Sequence, residues 1–192
     1  MAETPYVSNE SAEMPYSLEA EQTILGAVLT DSTMLSTVLE FVKAESFFNE
    51  QHRALFQIIL QMFTSGEKAD IITVLNAAVE RGIFETAAEG RKYLAALVNS
   101  VPSLENVDSY CRIVAEKYYI RCLALTARGI LQDIQSGEQS AQALMDAAEQ
   151  RIFDIRQGKL RIFSTQLTGV PANDLEYAIP KCSIYVLFVP RW

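Results

Sequence analysis

The side chains with the greatest chemical reach in this 192-residue chain are one histidine, three cysteines and a scatter of carboxylates. His52 stands in Asn49-Glu50-Gln51-His52-Arg53-Ala54-Leu55-Phe56. An imidazole could move a proton near neutral pH. That chemistry needs a second group within hydrogen-bond reach, and spacing alone puts no histidine, thiol or hydroxyl beside it. His52 therefore reads as a half-buried imidazole on the inner face of a helix, bonded to a backbone carbonyl. Glu45, Glu50 and Asp70 would pair as acid and base only by tertiary accident; as sequence they are caps and solvated faces. Cys111, Cys122 and Cys182 lack metal-ligand spacing. The first two sit on one predicted helix, about 16 Å apart along its axis, too far to bridge. They read as buried thiols in a reducing compartment.

Phosphate chemistry fares no better. A phosphate loop needs glycines, then Lys and Ser/Thr at fixed spacing, so that backbone amides wrap the phosphates. The one Gly-Lys pair is Gly158-Lys159, followed by Leu160, with Phe153 where the first glycine belongs. The chain is expected to be neither an ATPase nor any other enzyme by itself, and to hold no cofactor and no metal.

Composition sets the class. Hydrophobic residues make up 49% and charged residues 21%, which suits a packed core. The net charge of −8 argues against direct binding to DNA phosphates, which needs clustered Lys and Arg. The first 15 residues are polar, with acids and no basic start, so they do not read as a signal peptide. No apolar run reaches the length of a membrane span, and a cytoplasmic location is expected.

The elements are helical. Residues 1–14, rich in Glu, Ser and Pro, read as a disordered arm. In Pro15–Asp31, Ser17 caps a helix over 18–30, Glu19 and Glu21 place charge in its first turn, and Leu18, Leu25, Val28 and Leu29 form a buried stripe. Gly26 inside that stripe suggests close approach of another helix. Ser32 caps a helix over 33–42. Asn49 caps 50–63, with His52, Leu55, Phe56, Ile59, Met62 and Phe63 inward. Gly66 ends that turn. Asp70 caps 71–80, and Gly82 stops it. Tyr93, Leu94, Leu97 and Val98 mark a helix over 90–99, broken by Val101-Pro102-Ser103. No alternation of period two appears before residue 160. The fold class is all-α: a helical globule over 15–102, then a long antiparallel hairpin over 103–158.

The hairpin is one helix from Asn106 to Gly137, carrying Val107, Tyr110, Cys111, Val114, Tyr118, Cys122 and Leu125 and continuing through Ile130 and Ile134, and a second over 139–156 with Ala141, Leu144, Met145, Ala148, Ile152 and Ile155. Each has more apolar surface than one partner covers, so a dimer is expected through Tyr118, Leu125, Leu144, Ala148 and Ile152. The globule core, centred on residues such as Leu55, Val74 and Leu94, is expected to be separate from the hairpin. Residues 159–192 change regime: Pro171, Pro180 and Pro190 interrupt them, and Cys182–Val189 is a β-prone apolar run with no assigned role.

An ordered set of segments carries a resemblance. It comprises Pro15–Asp31, His52-Arg53-Ala54-Leu55-Phe56, Asp70-Ile71-Ile72-Thr73, Tyr93–Leu97, Pro102–Tyr110, Ile113–Arg121 and Ala148–Ile155. In order and spacing it resembles the N-terminal domain of the bacterial replicative hexameric DNA helicase, the DnaB type, over about 15–157. One departure is Glu89-Gly90, where the family often has Gly-Gly. A larger one is that the family continues into a linker and a RecA-like ATPase domain, which holds ATP and magnesium, whereas Leu160 onward does not match that linker. The resemblance implies paired hairpins, three such dimers forming a collar, and a primase and a loader docking there. DNA contact would be indirect, through the full helicase. The alternative is a free-standing or truncated regulator that pairs with a host collar and poisons it. An all-α hydrolase with unrecognised carboxylates is disfavoured by the absence of paired-acid spacing.

The missing phosphate loop generates a direct test. Calorimetric titration with ATP should give no saturable heat at micromolar concentrations; saturable binding there would refute the reading.

Overall fold

The computed structural model describes residues 14–157. The arm expected before Met14, the tail after Gln157 and Cys182–Val189 lie outside the described residues. Seven α-helices run in order: α1 (Leu18–Thr30), α2 (Met34–Phe41), α3 (Glu50–Thr64), α4 (Ile71–Glu80), α5 (Ala87–Asn99), α6 (Val107–Ser136) and α7 (Ala141–Arg156). Short 3-10 turns at Ala44–Ser46 and Leu104–Asn106 precede α3 and α6. Among the described residues there is no strand.

Local chemistry sets most of these boundaries. Ser17, Asn49, Asp70 and Ser140 each accept from backbone N–H groups of the first turn that follows. Gly66, Gly82 and Gly137 close α3, α4 and α6 with φ of 75°, 70° and 67°, a region where a side chain would be strained. Ser32 does not cap α2. No side chain caps α2; the Asp31 carboxylate braces the N-cap residue itself, accepting from the Thr33 backbone N–H at 2.9 Å and from its hydroxyl at 2.7 Å. These bonds hold the exposed Asp31 carboxyl below its usual range. Helix α5 starts at Ala87, three residues before the expected start at 90, because the Thr86 side chain accepts from the Glu89 N–H.

The core is continuous. Leu25, Val28, Leu55, Phe56, Ile59, Val74, Leu75, Leu94 and Leu97 are buried as expected, together with Ile24, Phe47 and Ile58. Two expected inward residues point out: Leu18 and Phe63 are 39% and 47% exposed. Each sits at or near the edge of its apolar stripe, where a helical wheel cannot say how far a neighbour reaches. The hairpin is not separate from the globule. Val107, Cys111 and Val114 of α6 belong to the same buried cluster, so the first half of α6 is a wall of the globule. The second half runs on with α7, antiparallel, and Arg151 pairs with Asp133 at 2.7 Å across them.

Two glycines are demanded by packing rather than by φ. A Cβ on Gly26 would stand 2.1 Å from the Leu97 carbonyl oxygen, so α1 passes against the C-terminal turn of α5 as its glycine suggested. A Cβ on Gly90 would meet the Leu75 side chain at 2.5 Å and the Phe84 ring at 2.8 Å. Glu89 beside it is exposed, so that departure from Gly-Gly leaves the close contact intact.

Gly26→Ala should therefore destabilise, although alanine is the better helix former by about 1 kcal/mol. The clash is with backbone, and α1 and α5 must part, for a net loss of about 1–3 kcal/mol. Urea denaturation measures this; a stabilised variant would contradict the packing.

Candidate functional site

Four elements supply one buried polar knot. Glu21 lies in the first turn of α1, 1% exposed, although its position suggested a solvated charge at the positive end of the helix. Its carboxylate accepts from the Phe48 N–H at 2.6 Å, the Asn49 N–H at 3.3 Å and His52 Nδ1 at 2.8 Å. With Nδ1 donating, His52 Nε2 is free to accept from the Tyr93 hydroxyl at 2.8 Å. The imidazole is wholly buried and bonds to two side chains, not to a backbone carbonyl. Tyr93 keeps its proton more tightly than usual, first through burial and then through the negative charge of Glu21. From α6, Arg121 reaches over the knot and donates to the carbonyls of Pro15 at 2.8 Å and Ser46 at 2.6 Å.

A Glu-His-Tyr chain has the membership of a proton relay. Its burial decides otherwise: a substrate needs an approach to the imidazole, and His52 exposes 0% of its surface. The knot is structural. Glu45 and Glu50 are exposed, and Asp70 is committed to its cap. Among the described residues no group of three or more His, Cys, Asp and Glu is placed to hold a metal. Cys111 and Cys122 are buried free thiols. Burial, and then Asp108, push the Cys111 thiol up to about 12, far from a reactive thiolate.

The surface worth describing is on the hairpin. Of the residues expected in its seam, Ile152 is 44% exposed, while Leu125, Leu144 and Ala148 are half-buried. Tyr118 turns inward beside Arg121, whose guanidinium lies 5.9 Å from its ring. Burial, and then Cys122, raise its hydroxyl pKa. Cys111 and Val114 lie on the face turned to the globule, Cys122 is buried further along α6, and Leu125 is half-buried. The outward face was legible in the sequence only in part, through Ile134 and Met145. It carries Ile120, Leu123, Leu131 and Ile134 on α6 and Met145 and Phe153 on α7, all 42–59% exposed. The signal was present as a second helical spacing on α6, masked by the stronger one. Where the hairpin leaves the globule, a groove of about 780 Å³ opens between Phe41, Tyr119, Leu123 and Ile152, with Arg112 stacked 4.7 Å over the Phe41 ring.

Among the described residues the fold is all-α, its polar cluster is largely buried, and its helical hairpin presents an exposed apolar face. The profile of the DnaB-like helicase N-terminal domain family matches residues 13–116, and the chain belongs to that family. It is 37% identical over 147 residues to the replicative DNA helicase DnaB of Geobacillus stearothermophilus, a match covering 76% of this chain and 32% of the relative. It is 32% identical over 145 residues to the replicative DNA helicase DnaC of Bacillus subtilis, with the same coverage of each chain. The chain thus spans about a third of the length of these curated relatives. The crystal structure of the N-terminal domain of DnaB helicase from Mycobacterium tuberculosis superposes with a TM-score of 0.68 at 32% identity, covering 74% of this chain and 100% of that one.

Removing the hub of the knot should be costly. Glu21→Ala leaves two backbone N–H groups and an imidazole N–H buried without an acceptor, a loss of about 3–5 kcal/mol in urea denaturation. A loss under about 1 kcal/mol would mean that the knot contributes little.

Proposed function

We propose that this chain is the assembly and primase-docking domain of a replicative hexameric helicase, acting in DNA replication without performing the motor chemistry itself. Self-association runs through the hairpin, with dimers as the unit and three dimers as the collar. A primase, and a helicase loader, engage the same helical body, and DNA is reached only through the full helicase. ATP and magnesium belong to the motor domain of the family. A bacterial replication domain of this kind works in the cytoplasm, and no helix among the described residues is long and apolar enough to cross a membrane.

One observation carries the reading. The outward face of the hairpin exposes Ile120, Leu123, Leu131, Ile134, Met145, Ile152 and Phe153 along one surface, while the exposed large apolar residues of the globule, such as Leu18, Phe63 and Ile72, are spread over different helices. Such a face is stabilised by covering it, and a second hairpin offers matching chemistry. Relatives named replicative DNA helicases make a ring-forming partner the natural context.

The test is sedimentation of the whole chain. The unaltered protein should sediment at twice its monomer mass. Ile152→Glu puts a carboxylate in the seam, and the dissociation constant should rise about a hundredfold, or about 2.7 kcal/mol, with an unchanged helical circular dichroism signal. Co-sedimentation with a bacterial primase should be lost or weakened in the same variant. An unaltered chain that stays monomeric at high micromolar concentration would refute the self-association.

A further inference from the structure

Between the first 3-10 turn and α3, three consecutive peptide units are held by charged side chains from three different helices. The Ser46 carbonyl accepts from Arg121 of α6 at 2.6 Å. The Phe47 carbonyl accepts from Arg53 of α3, from Nε at 3.3 Å and from Nη2 at 3.0 Å. The Phe48 and Asn49 N–H groups donate to Glu21 of α1 at 2.6 Å and 3.3 Å. The Phe47 carbonyl and the Phe48 N–H belong to one planar peptide unit and point opposite ways. That unit is clamped between a guanidinium and a carboxylate. Side chains anchor the segment as well: Ser46 and Phe47 are buried, and the Phe47 ring packs on Phe56 with centroids 4.9 Å apart.

Arg121 holds the far side of this arrangement. It is buried, and among the described residues it forms no ion pair; its hydrogen bonds go to the carbonyls of Pro15 and Ser46. Burial lowers its pKa, and the negative charge of Glu21 is the first influence that opposes this. A buried guanidinium is costly unless its donors are used and its charge is balanced. The same short segment serves both needs: its Ser46 carbonyl takes a donor, and the carboxylate that holds its other end balances the charge.

We infer that Ser46–Asn49 is a strap that couples the direction of the hairpin to the buried carboxylate, with Glu21, Arg53 and Arg121 as positioning residues. Val107, Cys111 and Val114 seat the start of α6 by apolar contact, which is non-directional. Arg121 stands about two turns beyond Val114, and Ser136 at the end of α6 lies about 22 Å farther along the axis. A small shift at Arg121 is therefore magnified at the hairpin tip. Moving α6 pulls on Ser46, and that withdraws the Phe48 and Asn49 N–H groups from Glu21. Losing the Glu21 charge slackens the strap from the other end. The device works within one copy of the chain and stands whether or not hairpins associate. Arg53 and Arg121 both lie in segments that carry the family resemblance, and the strap gives each a role that their spacing alone did not.

A double-mutant cycle on the full chain, by urea denaturation at one fixed concentration, measures the coupling. Glu21→Gln and Arg121→Gln should each lower the folding equilibrium constant. The double variant should be less harmed than the product of the two by about tenfold, or about 1.4 kcal/mol. Arg121→Lys, which keeps the charge and loses the planar fork, supplies a second measurement in a chain that retains its fold. Its Phe48 and Asn49 amides, neither of which touches Arg121, should exchange with solvent about tenfold faster after correction for the variant's global stability. In Glu21→Gln the same correction should leave faster exchange in α6 beyond residue 121. Additive losses in the cycle, or Phe48 and Asn49 amides in Arg121→Lys that exchange no faster than global stability accounts for, overturn the strap.

Discussion

Everything in the globule is arranged around the need to satisfy one buried carboxylate. Glu21 cannot stay charged in the interior without donors, and the chain brings it three: the N–H groups of Phe48 and Asn49 and the imidazole of His52. To supply them, the segment before α3 must lie against the first turn of α1. His52 must then face inward, and its second nitrogen draws in Tyr93 from α5. Apolar burial favours many ways of stacking these helices; the hydrogen bonds admit few of them. In this fold the polar knot contributes uniqueness and the surrounding Leu, Ile and Phe side chains contribute the bulk of the free energy.

Helix α6 joins the two halves of the molecule because it is apolar on two sides. One side closes the globule through Val107, Cys111 and Val114 and is pinned by Arg121, whose guanidinium holds the carbonyls of Pro15 and Ser46. It also lies 5.4 Å over the Phe48 ring, which in turn stacks on Tyr16 at 4.6 Å. Helix α6 is thereby fixed rigidly to the body that it leaves. The other side carries the exposed stripe. A partner that covers that stripe meets a surface whose orientation is already set, so little ordering entropy opposes association.

Membership of the DnaB-like helicase N-terminal domain family fits this division of labour. The described residues combine a tightly packed body with a presented apolar surface on the hairpin. The groove beside Phe41 and Ile152 is apolar and lies at the junction of body and hairpin. Of the groups that look catalytic as a set, Glu21 and His52 are buried and Tyr93 is half-buried.

The sequence by itself determined the all-α class, the hairpin, the main caps, the glycine stops and most of the core, because these depend on contacts within a few residues: a side-chain oxygen to the next turn, a φ only glycine adopts, a 3.6-residue stripe. The resemblance to the family was likewise legible in short segments spread from Pro15 to Ile155. Tertiary structure alone decided the rest. Glu21 looked like a first-turn charge at the surface, since nothing local announces that Phe48, Asn49 and His52, some thirty residues on, will close over it. His52 likewise found its hydroxyl partner forty-one positions away in Tyr93. Of the two apolar stripes on α6, the one through Val107, Cys111 and Val114 is the one the globule covers. A helical wheel lists apolar faces without saying which neighbour claims each, and only the packing of α1 and α2 against α6 left Ile120, Leu123, Leu131 and Ile134 in the open.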